Sequence, residues 1–220
     1  MPRIAVLLVA IAGLCGSVAA EVTSFVGVVG GLATLSADGR SQQVPQGIDA
    51  SLYKPENGPA LNLFAGAHLT QYVSIQANYT WNRNDLTLTS TSPESNSFYE
   101  EKRKSSQHAL IFDLLVYFRQ QHSRVRPYLS GGTGIVHFSS SEARILAFGG
   151  GALLPPARFS SSRPALRVAV GMDVLLTSKL DFRYSFSETI RHNDISAELS
   201  PPAQRGLANF QNLFGIVVRF

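Results

Sequence analysis

What this chain has little of narrows its character before any motif does. In 220 residues there is one cysteine, Cys15, one tryptophan, Trp81, and two methionines. Cys15 lies in the opening stretch MPRIAVLLVAIAGLCGSVAA, so loss of that stretch leaves no thiol, which suits an oxidising compartment where stray thiols mispair. Charged residues are only 15% of the chain and the formal net charge is +4, which falls to +3 without Arg3. No single-sign block stands out, and EEKRK at 100–104 mixes both signs. A nucleic-acid surface is not expected without an aromatic and basic platform. The five histidines, His68, His108, His122, His137 and His192, are scattered without paired ligand spacing, so no metal site is expected. After the opening stretch no run of 18 apolar residues occurs, which excludes a helical membrane span.

The opening stretch itself reads as a cleaved signal peptide over residues 1–20. Arg3 starts it, apolar residues run from Ile4 to about Leu14, and small residues at 18–20 precede Glu21. Lipidation at Cys15 is the alternative, but Leu14 occupies a position where a lipoprotein signal needs a small residue. The remaining residues, 21–220, suffice for one domain.

Alternation with a period of two runs through that domain. In 72–84, Val73, Ile75, Ala77, Tyr79 and Trp81 oppose Ser74, Gln76, Asn78, Thr80 and Asn82. In 107–118, Leu110, Phe112, Leu114, Val116 and Phe118 oppose Gln107, Ala109, Asp113 and Tyr117. The same contrast marks 60–70, 164–176, 179–189 and 209–220. The stretches 22–33 and 125–138 are weaker, and their glycines suggest bends or bulges and leave the inward face unassigned.

These are eight predicted strands. Long polar stretches (about 34–59, 85–106, 139–163 and 191–206) follow every odd strand, and short turns near Thr70, at 120–124 and at Thr177-Ser178 follow the even ones before the eighth. The expected fold is all-β: an eight-stranded antiparallel up-and-down transmembrane barrel with four long extracellular loops and short periplasmic turns. A soluble eight-stranded carrier is the competing architecture. It would bury Asp113, Arg167, Asp173, Asp181, Arg183 and Arg219 around an apolar ligand, which is costly for charges unless they are paired. Turning those six residues into the lumen and the apolar face to lipid removes the conflict. Tyr79, Trp81, Phe186 and Phe210 near the loop side, and Phe118 and Phe182 near the turn side, then read as aromatic girdles.

The leader, RPYLSGGTGIVHF at 126–138, VGMDVLLTSKLDFRYSF at 170–186 and the terminal FGIVVRF resemble the OmpA-like outer-membrane β-barrel superfamily of bacteria. The resemblance covers nearly the whole chain after the leader, through patterns of residue type rather than a strict signature. It implies that Phe214, Ile216, Val218 and Phe220 form the terminal signal recognised by the barrel-assembly machinery. It concerns the barrel domain only, so cell-wall anchoring through a periplasmic domain is not carried over.

The lumen charges read either as a mutually neutralising plug, since eight strands leave room for little but side chains, or as a narrow polar path. Glu188, His192 and Ser196 supply catalytic-triad residue types near the last loop, and small outer-membrane lipid A deacylases carry a His-x-Ser-Asn stretch. Here the local sequence is RHNDIS, and a triad needs geometry that spacing does not supply. SGGTG at 130–134 lacks the Gly-Lys-Ser/Thr of a phosphate loop. No catalytic residue and no cofactor are expected. In the third loop, Phe148, Leu153 and Leu154 suggest a lid over the mouth or a contact surface, and Lys102, Arg103, Lys104, Arg158, Arg163 and Arg205 suggest a rim facing lipopolysaccharide phosphates. The functional expectation is an envelope or surface-interaction role, with a narrow channel as the alternative and a lipid-modifying enzyme as a remoter one. Expected partners are outer-membrane lipid and lipopolysaccharide, and periplasmic chaperones with the assembly machinery during biogenesis. A monomer is expected.

Overall fold

The computed structural model describes residues 23–36, 41–42, 50–54, 56–92, 96–149, 158–192 and 206–220. Its strands are β1 (Thr23–Ser36), β2 (Ser41–Gln42), β3 (Ala50–Lys54), β4 (Asn57–His68), β5 (Val73–Ser92), β6 (Ser97–Tyr117), β7 (Val125–Gly149), β8 (Arg158–Leu175), β9 (Leu180–His192) and β10 (Gly206–Arg219). Eight of these described strands form a ring. Antiparallel pairing runs from β4 through β10 in sequence order, and β1 joins β4 on one side and β10 on the other. The β1–β10 seam aligns Phe25 with Arg219, and the Phe220 amide donates to the Ser24 carbonyl at 2.9 Å. Closure matters in lipid, where an unpaired strand edge has no water to satisfy it. β2 and β3 lie outside the ring, with β3 added to the upper part of β5.

Side-chain alternation decides which face is which. On β8 the outward residues Leu166, Val168, Val170, Met172, Val174 and Leu176 form one continuous apolar column. Ten residue steps at ~3.3 Å, tilted ~40°, make that column about 25 Å tall, the height of a bilayer's apolar band. Exposed Leu63, Ile75, Phe112, Leu129 and Ile216 extend the band around the ring.

Two expectations are corrected here. The stretches 85–106 and 139–163 do not form long polar loops over most of their length. β5 and β6 stay paired up to Ser92 and Ser97, and β6 and β7 up to Phe98 and Gly149. Leu86 and Leu88 keep the inward alternation going and are fully buried. On β5 from Arg83 upward and on β6 from Glu100 to Ser106 the outward positions are polar, as suits a sheet above the lipid, so loop-like composition conceals strand geometry. Asn96, with φ of 48°, makes the left-handed turn at the tip that Asn tolerates.

The glycines of the first and fifth predicted strands also have a different role from the bends expected. The pairing of β1 is unbroken, and so is that of β7 below Ser141; the bulges lie higher on β7, at Ala143 and Leu146, opposite residues 100–103 of β6 and not at glycines. Gly27 and Gly132 face inward at places where a Cβ would collide with the Phe64 ring and the Asp113 carboxylate, respectively. Their missing side chains let groups from neighbouring strands occupy the lumen. The inward faces left open are Phe25, Val29, Ala33 and Leu35 on β1, and Arg126, Tyr128, Val136 and Phe138 on β7.

Candidate functional site

Inward alternation on eight closed strands sends every second side chain toward one axis, and the lumen is the densest concentration of polar chemistry in the described residues. Near the periplasmic end Arg183 is the hub. Its Nε donates to Asp173 Oδ1 at 2.6 Å and its Nη2 to Asp173 Oδ2 at 2.7 Å, the bidentate geometry that suits guanidinium and carboxylate. Nη1 donates to Gln76 Oε1 at 2.6 Å and Nη2 to the Tyr117 hydroxyl at 2.9 Å, while that hydroxyl donates to Asp173 at 2.9 Å. The guanidinium lies 4.7 Å from the Phe64 ring centre, 5.1 Å from Tyr128 and 5.6 Å from Phe25. Counting Arg183 itself, seven of the eight ring strands meet at this cluster. Arg219 pairs with Asp181 at 2.9 Å, and the Arg126 guanidinium stacks 3.8 Å from the Tyr117 ring centre.

One step higher, Arg167 pairs with Asp113 at 3.0 Å. Register explains the reach: Gln76, Asp113, Gly132 and Arg167 are opposite one another across β5, β6, β7 and β8, and Gly132 leaves the space between the two charges open. Asn78 donates to the same carboxylate at 3.1 Å and accepts from Asn62 and Gln76. Asn82, Asn84 and Asn209 continue the hydrogen-bonded column upward.

Above them the filling turns apolar. Leu35, Leu86, Leu88, Phe138 and Leu207 pack as one buried cluster, and Arg191 covers the Phe138 ring at 4.6 Å. Glu101 and Arg103 form a further buried pair at 2.7 Å, with Arg103 Nε donating to Ser140. Burial pushes the Glu101 carboxyl above its usual range, against the opposing pull of Arg103. Between Asp113, Arg167 and Arg183 a cavity of about 10 Å³ is left, room for one water at most. Among the described residues no group of His, Cys, Asp and Glu is placed to hold a metal.

A closed ring of eight strands, lipid-tall and apolar outside, polar within, is the arrangement of an outer-membrane barrel. Residues 6–212 match the model of the outer membrane protein beta-barrel domain. The chain belongs to that family. Its place is therefore the bacterial outer membrane. Among solved structures, the fold is similar to Neisserial surface protein A, at 13% identity and a TM-score of 0.53, with 90% of this chain and 97% of that one covered. It is similar also to the outer membrane protein OprG of Pseudomonas aeruginosa, at 15% identity and a TM-score of 0.50, with 90% and 95% covered. No curated protein matches the sequence.

The remaining predicted residues lie elsewhere on this family's frame. Tyr79, Trp81, Phe118, Phe182, Phe186 and Phe210 all project outward from the barrel or its lower turns, with Phe186 and Phe210 stacked at 6.3 Å. Phe214, Ile216 and Val218 are outward on β10, and Phe220 is 72% exposed just beyond it. Glu188 and His192 both face outward on β9, and Ser196 lies outside the described residues. Phe148 lies on the β7 extension and is 52% exposed; Leu153 and Leu154 are outside the described residues. The leader also lies outside them. Several lumen residues escape sequence reasoning: Arg126, Tyr128 and Phe25 come from strands whose mixed faces give no direction, whereas Phe64 shares its face with Asn62 and His68. The buried Glu101–Arg103 pair is concealed within a charge run that reads as solvated.

Proposed function

We propose that this outer-membrane barrel is a non-conducting, non-catalytic envelope protein that acts through the strand extensions and loops it raises above the outer leaflet. The observation that carries this reading is the filled lumen. A salt-bridged polar column with an apolar layer above it fills the axis, and the cavity between Asp113, Arg167 and Arg183 measures about 10 Å³, too little for a solute at that level. Among the described residues, the paired upper parts of β5 to β8 then offer an extended surface outside the membrane. In this reading residues 1–20 direct export and are removed, leaving 21–220 as the barrel. Phe214, Ile216, Val218 and Phe220 present the terminal signal to the assembly machinery, periplasmic chaperones escort the chain, and the inserted monomer contacts lipid and lipopolysaccharide.

Proteoliposome swelling tests it. Vesicles containing the inserted barrel, placed in isosmotic glycine or arabinose, are expected to swell no faster than protein-free vesicles. Swelling that scales with the amount of inserted protein would make the chain a solute channel.

A further inference from the structure

On the outer wall, immediately above the apolar band, β5 to β8 form a groove of about 460 Å³. Arg83 from β5, Lys104 from β6 and Arg158 from β8 line it, with Ser106, Ser139 and Ser160 between them. Arg83, Ser106, Ser139 and Ser160 stand in one cross-strand row, and Lys104 and Arg158 stand in the next row outward. No carboxylate lines the groove. Asp85 shares a row with Lys104, but its described ion pair is with Lys102, at 3.6 Å. Three cations thus converge from three strands, none with a described ion pair and with only Asp85, opposite Lys104 and already paired with Lys102, as a neighbouring carboxylate. The groove therefore keeps a net positive charge that an anion would neutralise.

The depth of the groove identifies the anion. The row directly beneath it is Trp81, His108, His137 and Ser162, in which Tyr79 reaches His108 at 2.8 Å and His137 reaches Ser162 at 2.9 Å. Aromatic, part-polar side chains of this kind mark the boundary between acyl chains and headgroups. Below them the wall is Leu110, Ile135 and Leu166, all exposed to lipid. The groove is one alternation above that boundary, roughly 6–7 Å along the strands, which is headgroup depth.

We propose that this groove is a binding site for the phosphate of a phosphorylated glycolipid in the outer leaflet. Arg83, Lys104 and Arg158 take the phosphate charge through charge-assisted hydrogen bonds, and the serine hydroxyls donate to the remaining oxygens and the sugar. A lipid-borne phosphate is favoured over a free one because its acyl chains hold it at this depth, so its local concentration is high and binding is confined to the wall. The proposal rests on the outer-membrane position of the barrel and is independent of whether the lumen conducts.

Native mass spectrometry of the full chain, extracted from membranes into detergent, tests it with three probes: bisphosphorylated lipid A, the same lipid stripped of phosphate, and inorganic phosphate. The wild type is expected to retain the phosphorylated lipid most strongly. Each of Arg83→Gln, Lys104→Gln and Arg158→Gln is expected to weaken retention about tenfold, the effect of one charged hydrogen bond. The triple variant is expected to hold it no better than the wild type holds the stripped lipid, whereas Lys179→Gln at the β8–β9 turn changes nothing. Trp81 fluorescence verifies folding, and if the triple variant does not fold, the single variants decide by the same criterion. Equal retention of both lipids by the wild type, unchanged retention in the variants, or inorganic phosphate binding as tightly as the lipid would each overturn the proposal.

Discussion

Arg183 is the residue whose removal should reveal what the lumen does for stability. It is 2% exposed and makes four hydrogen bonds to Asp173, Gln76 and Tyr117. Arg183→Met leaves the Asp173 carboxylate buried, still bonded to Tyr117 but without its cation, and strands the Gln76 oxygen. Breaking a buried pair from one side costs about 3–5 kcal/mol, because the remaining charge is neither hydrated nor neutralised. With a loss of ~4 kcal/mol and a urea dependence of ~3 kcal/mol per molar, the unfolding midpoint falls by roughly 1.3 M. Urea unfolding of the barrel in lipid vesicles, followed through the sole tryptophan, Trp81, reads that shift directly. The companion variant Arg183→Met/Asp173→Leu removes both charges and should recover most of the loss, since replacing a whole buried pair is often close to neutral. The resulting double-mutant coupling should be at least ~2 kcal/mol. A single Arg183→Met variant within about 0.5 kcal/mol of wild type, with an unchanged denaturant slope, would refute the idea that this network holds the barrel together.

Other consequences can be checked in parallel. Gly132→Val places a side chain where the Asp113 carboxylate sits, so it should lower stability by about 1–3 kcal/mol in the same urea assay, whereas Gly131→Val, with open space outside, should be close to neutral. Leu88→Ala in the upper apolar layer should cost about 2–4 kcal/mol, measured the same way. Burial raises the folded Glu101 carboxyl, so its contribution is present below the unfolded pKa and lost as pH rises through the folded value. Amide protection factors in the β6–β7 extension should therefore increase as pH falls toward the ordinary glutamate range, and Glu101→Gln should flatten that dependence. Deleting Phe220, which is exposed and beyond the last strand, should reduce the amount assembled in cells while leaving detergent refolding of the purified chain largely intact; equal losses in both would assign the residue to stability alone.

The legibility of this molecule in its sequence follows the contrast between the two faces of each strand. Where polar and apolar residues alternate sharply, as in Val73 to Asn82 or Leu166 to Leu176, strand, face and membrane depth are all visible. β1 and β7 defeat that reading because Gly, Val, Leu and Ala occupy both faces. Only the register shows that Phe25 and Tyr128 point inward to flank Arg183. The extensions of β5, β6 and β7 defeat it for another reason: above the bilayer the outward face meets water, so polar residues appear on both sides of Leu86 and Leu88 and the stretch reads as a loop. For the lumen, alternation gathers Asp113, Arg167, Asp173, Asp181, Arg183 and Arg219 on inward faces, but not their pairing. That Arg167 reaches Asp113 depends on an absent side chain at Gly132, on the strand between them and opposite each in register, which no spacing along the chain discloses.

Single-channel recording in a planar bilayer, with insertion of the barrel verified independently, is the most direct test of a lumen closed by its own side chains. The structure predicts a silent bilayer for the wild type. Discrete, reproducible conductance steps that change in Arg183→Gln or Asp173→Asn would mean that the axial column opens, and that the protein is a pore rather than a plugged frame for its outer surface.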